Sequence, residues 1–161
     1  MRIVPFILYL LLIAFYQVVL YNPTAIHGIT MNIAGLTVLF VALYKPELTA
    51  TWFGFFAGIV LASGEPGQIG WQAASLAGLG LVAFHVREKL NLDSLLAKVL
   101  LVFIGIVIHN FLSWIIDPSL RQFALFLPFV LGGALYTTVI SIFFFFIRDG
   151  LITRRKIQQL F

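Results

Sequence analysis

The stretch Leu95–Ile116 reads LLAKVLLVFIGIVIHNFLSWII, and it decides the class of the fold. As an α-helix it would rise about 33 Å, which matches the hydrocarbon core of a bilayer at about 30 Å. Its one charged residue, Lys98, stands near its start. The whole chain has this character, since 61% of its 161 residues are hydrophobic, 10% are charged and the mean hydropathy is +1.07. No water-soluble fold of this size could bury so much apolar surface, so an integral membrane protein is predicted.

Five further apolar runs are separated by proline, glycine and charged residues. Together with the first they predict an all-α integral membrane protein, a bundle of about six transmembrane helices in a single transmembrane domain over 1–161 with a basic tail over 148–161. Pro128 stands early in the last run and is expected to bend that helix without ending it. The expected spans are about 3–20, 28–44, 48–62, 71–86, 95–116 and 122–147.

The basic residues predict the orientation of the chain. If the N-terminus is cytoplasmic, all of the 10 Lys and Arg residues except Arg121 fall on the cytoplasmic side. Positively charged flanks are retained on that side, so both termini are expected in the cytoplasm. Basic residues scattered between apolar runs make no continuous basic face, so no nucleic acid partner is expected.

The residue types present argue against catalysis. The chain has no cysteine, and the sequence has no paired carboxylates in a span, no metal-binding H-E-x-x-H and no glycine-rich phosphate loop in a suitable context. We therefore expect no enzyme, no cofactor and no metal site. His109 is the one histidine deep in a span, and Asn110 beside it points about 100° away around the helix. Two interpretations stay open for His109: a hydrogen-bonded packing residue, or a ligand or partner contact.

Small residues recur every four positions in the third span and leave one face nearly without side chains. Ala74 and Gly78 give the fourth span a shorter version of the pattern. One interpretation is a hairpin in which these two helices pack closely, and the other is a surface for the helix of a partner protein. The residues of the pattern in the third span are Ala50, Gly54, Gly58 and Ala62.

Amides and histidine collect in the half of the bundle that is expected to face outward. The pattern indicates either an outward-facing polar cavity or only helix ends that tolerate amides near water. The residues concerned are Gln17, Asn32, Gln68, Gln72, His109, Asn110 and Gln122.

The chain resembles the rod shape-determining protein MreD family over almost its whole length. The resemblance includes the tail, the polar segment after the fourth span, the short turn YKPE at 44–47, and a glycine-punctuated hairpin made of GFFAGIVL at 54–61, Ser63, Gly64, Gly67 and Gly70. Members of the family commonly carry an aspartate at the end of the third span, where this chain has Ala62, with Glu65 three residues later.

This resemblance implies a non-enzymatic scaffold of the bacterial cell-elongation machinery. Its partner would be MreC, a protein with a single membrane span. Through that complex it would link MreB filaments to peptidoglycan synthesis by the glycan polymerase RodA and the elongation transpeptidase. The resemblance also implies a place in the bacterial inner (cytoplasmic) membrane, where membrane lipid would surround the chain.

An alternative function is the substrate-binding membrane subunit of an energy-coupling-factor vitamin transporter, whose fold MreD-like proteins are thought to resemble. Those subunits typically carry an A-x-x-x-A pattern in the first span for docking the coupling protein. Here that span has a single alanine, Ala14. The docking pattern of the alternative is therefore missing.

Overall fold

The computed structural model describes residues 4–26, 28–90, 94–117 and 123–148. In these ranges the chain is α-helical, and its β-structure is limited to an isolated bridge between Ile26 and Ile29. The helices are α1 Val4–Phe15, α2 Ile33–Tyr44, α3 Glu47–Leu61, α4 Ile69–Lys89, α5 Leu95–Ile116, α6 Phe123–Phe126 and α7 Gly133–Arg148. A π-helical segment, Tyr16–Leu20, continues α1, and a second one, Leu127–Gly132, joins α6 to α7. A 3-10 turn, Pro66–Gln68, precedes α4.

Three helical stretches are long and apolar enough to cross a membrane, namely Pro66–Lys89, Leu95–Ile116 and Leu127–Arg148. Val4–Leu20, α2 and α3 are also apolar but shorter. The chain is thus an all-α membrane protein. The expected positions of both termini, of Arg121 and Gln122 and of the tail beyond Arg148 lie outside the described residues.

The second helix was predicted to start too early. It begins at Ile33 rather than near residue 28, because Gly28 adopts a left-handed φ of 81° in a tight turn closed by the bridge between Ile26 and Ile29. Asn32 then caps the helix, its side-chain oxygen accepting a hydrogen bond from Gly35 N at 2.8 Å. The segment that replaces the first turns of the helix lines a cavity described below.

The fourth helix was predicted to be too short. It continues past residue 86 to Lys89, through residues expected in a polar loop. Arg87 stabilises this extension, because its guanidinium donates hydrogen bonds to the carbonyl oxygens of Ala42 at 3.0 Å and of Lys45 at 3.2 Å. These carbonyls belong to the last turn of α2 and to its C-cap, where a cation is favourable.

Pro128 lies in the π-helical segment between α6 and α7. A proline removes one backbone donor and crowds the preceding turn, and a widened turn accommodates both without ending the helix. The helix thus runs through the proline, as the sequence predicts.

Helix α2 lies at the centre of the bundle. All its side chains are buried except those of Phe40 and Tyr44, which are half-buried. Because α2 is enclosed by α3, α4, α5 and α7, it need not match the thickness of the hydrocarbon as a lipid-facing helix would. Its twelve residues reach from the cavity at one end of the bundle to basic residues at the other.

Candidate functional site: a polar cavity at one end of the bundle

A cavity of about 450 Å³ opens at the end of the bundle where α2 and α4 begin and α5 ends. The segment 28–32 and the loop between α3 and α4 contribute to its wall. Of the seven polar residues that the sequence placed in this half, Gln122 lies outside the described residues. The other six line the cavity: Gln17, Asn32, Gln68, Gln72, His109 and Asn110.

Asn32 joins the two neighbours on α5. Its Nδ2 donates to Asn110 Oδ1 at 2.8 Å and lies 3.0 Å from His109 Nδ1. His109 and Asn110 are neighbours in sequence, and their side chains point about 100° apart around α5. The structure shows that an amide on another helix reaches both. The backbone N–H of Asn32 also donates to Thr137 Oγ1 at 2.9 Å, and this hydrogen bond connects the start of α2 to α7.

The Asn32 contacts determine the tautomer of His109. Asn32 Oδ1 accepts the N–H of Gly35, so its Nδ2 faces His109 and donates to Nδ1. Nδ1 is therefore the acceptor and the ring proton is on Nε2. That nitrogen lies 3.4 Å from Ser75 Oγ, which in turn lies 3.1 Å from the backbone oxygen of Gln72. An Nε2 that carries the proton cannot remove one from Ser75, so the pair is not arranged as a nucleophile and its base.

A chain of amides lines the mouth of the cavity. Gln68 Nε2 donates to the carboxylates of Glu65 and of Asp117, the latter at 2.8 Å. Gln68 Oε1 accepts a 3.4 Å contact from Gln72 Nε2. Ala62 lines the same cavity as Glu65, three residues later. A carboxylate is therefore present beside the end of α3.

Two buried polar atoms on the cavity wall have no hydrogen-bond partner: Gln72 Oε1 and Ser113 Oγ. Gln72 is 9% exposed and Ser113 is 4% exposed. Ser113 lies four residues after His109 and shares its helix face, but nothing in the sequence indicates that its hydroxyl is unpaired. That property depends on which atoms of other helices come near, so it has no local sequence signal.

The opposite end of the bundle is basic. Arg148 lies over the ring of Tyr44 with its guanidinium 5.0 Å from the centroid, and Lys98 Nζ lies 5.7 Å from the same centroid. Among the described residues no lysine or arginine lines the cavity. In the described part of the chain, the lysines and arginines therefore collect at one end of the bundle and the amides line the cavity at the other. The basic residues of the described ranges are Lys45, Arg87, Lys89, Lys98 and Arg148.

The small residues of α3 pack against α4. A Cβ added at Gly54 would meet the Leu76 carbonyl and lie 2.9 Å from Ala77 Cα, and one added at Gly58 would lie 2.5 Å from Ala73 N. Both glycines thus permit a backbone-to-backbone approach. Ala50 is fully buried, its carbonyl 2.8 Å from the place of a Cβ at Gly80. Of the two interpretations of the α3 pattern, the structure shows the hairpin within the chain.

Ala74 and Gly78 do not take part in that hairpin, contrary to the sequence interpretation. Ala74 is exposed, and a Cβ at Gly78 would have no atom within 4 Å. They lie on the other side of α4, where Gly78 lines an apolar groove of about 610 Å³ between α4 and α5. The expectation failed because spacing alone does not fix the rotation of a helix that has small residues on two faces.

The described ranges contain no group of three or more His, Cys, Asp or Glu side chains that could hold a metal ion. What the cavity offers chemically is hydrogen bonding from a fixed wall. No family model, no curated protein and no solved structure matches the chain.

Proposed function

We propose that the chain is a non-enzymatic membrane scaffold of the bacterial cell-elongation machinery that binds MreC. The observation that carries the proposal is the hairpin of α3 and α4, where the glycine-punctuated stretch of the MreD resemblance lies. Gly54 and Gly58 permit its close backbone contact. This close packing fixes α4 with its other face open, because a Cβ at Gly78 would meet no atom within 4 Å. An open helix face suits partner binding, and the tautomer of His109 favours a role without catalysis.

We further propose six membrane passes with the basic end in the cytoplasm. The support is the charge distribution, since the described lysines and arginines lie at the end of the bundle opposite the cavity. Cytoplasmic flanks are enriched in these residues. The cavity would then open to the outer side of the cytoplasmic membrane.

The groove between α4 and α5 is the surface that we assign to the partner's single helix. Leu100, Ile104 and Ile108 form an exposed apolar row along α5 at the i, i+4 spacing, and all three line the groove. Gly78 on the facing side leaves room for close approach of another backbone. The groove runs most of the length of the bundle, from Leu90 near the basic end to Trp71 near the cavity.

A second candidate function is a substrate-binding subunit of an energy-coupling-factor transporter, and the polar cavity is the observation that favours it. Both functions would use a six-helix bundle with an outward cavity. Gene neighbourhood separates them. Genes for MreB and MreC beside this one favour the scaffold, and genes for ATPase subunits favour the transporter.

The direct test is recovery of partners. The tagged protein is solubilised from native membranes in a mild detergent, and the co-purifying chains are identified by mass spectrometry. The scaffold proposal predicts MreC as the main partner, accompanied by other proteins of the elongation machinery. Recovery of ATPase subunits in place of MreC would overturn the scaffold and favour the transporter.

A further inference from the structure

We propose that the polar cavity binds a small polar molecule that carries an ammonium group, with Gln72 Oε1 and Ser113 Oγ as its inner hydrogen-bond acceptors. This inference does not depend on whether the chain is a scaffold. It rests on the geometry of the cavity wall, the two unpaired atoms and the absence of cations from the described part of the wall.

The unpaired atoms are costly to the unliganded protein. A buried polar atom without a partner has lost its hydration without a compensating hydrogen bond, and most buried polar atoms in folded proteins have a partner. Gln72 and Ser113 both line one cavity large enough for a small organic molecule. A group that donates hydrogen bonds to both would remove the cost, and this makes the wall complementary to a donor.

The wall fixes which atom of Gln72 is available. The carboxylates of Glu65 and Asp117 accept from Gln68 Nε2, so the Gln68 side chain presents Oε1 to Gln72. Gln72 must then present its Nε2 to Gln68, which leaves Oε1 directed elsewhere as an acceptor. The orientation of both amides thus follows from the carboxylates at the mouth.

The neighbouring amides and histidine are occupied and hold the wall in place. The Asn32 side chain donates to His109 and Asn110 through Nδ2 and accepts from the Gly35 N–H through Oδ1. Asn110 Nδ2 donates to Phe129 O at 3.2 Å. Because these groups already have partners, a ligand need not compete with them. A preformed wall lowers the entropy cost of binding.

Charge then favours a cation over an anion. An ammonium group has three donors and no acceptor, which matches two acceptors at depth and the carboxylate of Glu65 at the mouth. The Ser113 hydroxyl can donate or accept and so does not select between ligands, but a phosphate or carboxylate would place an acceptor against Gln72 Oε1 and a negative charge near Glu65. Tyr21 and Phe129 also line the cavity, and their rings suit a cation attached to a small carbon skeleton.

Glucosamine and glucose are the probes that test this, because they differ at one carbon in an ammonium or a hydroxyl group. Thermal unfolding of the purified, full-length protein in detergent is followed as each sugar is titrated. Glucosamine is expected to raise the Tm in a saturable way, with an apparent affinity at least about tenfold higher than that of glucose, which corresponds to about 1.4 kcal/mol. Equal responses to the two sugars, or no response to glucosamine, would overturn the proposal.

Two variants locate the effect. Ser113→Ala removes only an unpaired hydroxyl, so it is expected to fold and to leave the ligand-free Tm unchanged or higher. Gln72→Met removes the unpaired Oε1 together with the 3.4 Å contact to Gln68 Oε1, so its ligand-free Tm is expected to change little. Each variant is expected to weaken the glucosamine response about tenfold. Ser141→Ala is the control, because Ser141 is a buried serine of α7 whose hydroxyl already donates to Thr138 O at 2.7 Å. It should keep the full response. An undiminished response in both cavity variants, or a large loss of ligand-free stability in both, would contradict the assigned role.

Discussion

Each of the two opposite faces of α4 carries a glycine, but only one of these faces is packed against another helix. Gly80 lies against α3, where an added Cβ would come within 2.8 Å of the Ala50 carbonyl. Gly78, two residues earlier, points about 160° away around the helix, and a Cβ there would meet nothing within 4 Å. One side is closed by the chain itself, and the other faces an open groove.

Small residues on a helix of a membrane bundle can thus serve packing within the chain or leave a surface open for another protein. Small residues let two helix backbones approach closely. Where another helix of the chain already packs on the small residues, they stabilise the fold. Where no helix packs on them, they leave a surface that the backbone of another protein can approach. The same distinction holds for polar atoms, since the amide of Asn32 is fully engaged whereas Ser113 Oγ is unpaired. Substitutions should therefore separate the closed features from the open ones by their effect on stability.

The largest effect is expected for Gly58→Leu on the closed side. The new side chain would collide with the backbone at Gln72 and Ala73, which cannot move without separating α3 from α4. We expect a loss of more than about 3 kcal/mol, measured as a lower Tm in detergent and lower abundance in the membrane. Phe56→Leu, which also places a leucine on α3 but at an exposed position, is the control and should leave both nearly unchanged. Similar behaviour of the two variants would mean that the hairpin is not closed as described.

A smaller loss is expected for Asn32→Ala. The change removes the cap of α2 and leaves Asn110 Oδ1 and His109 Nδ1 without their donor. A lost cap costs about 1 kcal/mol, and each unpaired buried group adds about 1 kcal/mol or more. The Tm should fall clearly but less than for Gly58→Leu. Thr51→Ala is the control, because it removes a polar side chain from a half-buried position of α3. An equal Tm for Asn32→Ala and Thr51→Ala would argue against a stabilising role for the hydrogen bonds of Asn32.

The smallest loss among the closed features is expected for His109→Gln. A glutamine can present its oxygen to Asn32 Nδ2 in place of His109 Nδ1, so hydrogen bonding is kept while titration is removed. Partner recovery should be unchanged, and the Tm should fall by less than for His109→Leu, which keeps no acceptor. If His109→Gln abolished function in a folded and abundant protein, the packing role of His109 would be wrong.

The sequence was sufficient to predict the helical class and the bounds of α5, because a long apolar run ended by Ser94 and Asp117 leaves few alternatives. It also indicated the polar half in which the cavity lies. It did not predict the late start of α2, which depends on the turn at Gly28. It also did not predict the extension of α4, because that extension depends on hydrogen bonds from Arg87 to the distant carbonyls of Ala42 and Lys45. The unpaired atoms and the open side of α4 likewise depend on contacts between distant segments.

Gly78→Leu tests most directly the proposal that the open side of α4 receives the helix of MreC. Because nothing lies near Gly78, the variant should keep the abundance and Tm of the unmodified protein. Co-purification of MreC should fall at least about tenfold, since a leucine would prevent close approach of the partner's helix. Gly70→Leu is the matched control, at an equally open glycine of α4 that does not line the groove, and should recover MreC in full. Full recovery of MreC by a stable Gly78→Leu protein would contradict the account.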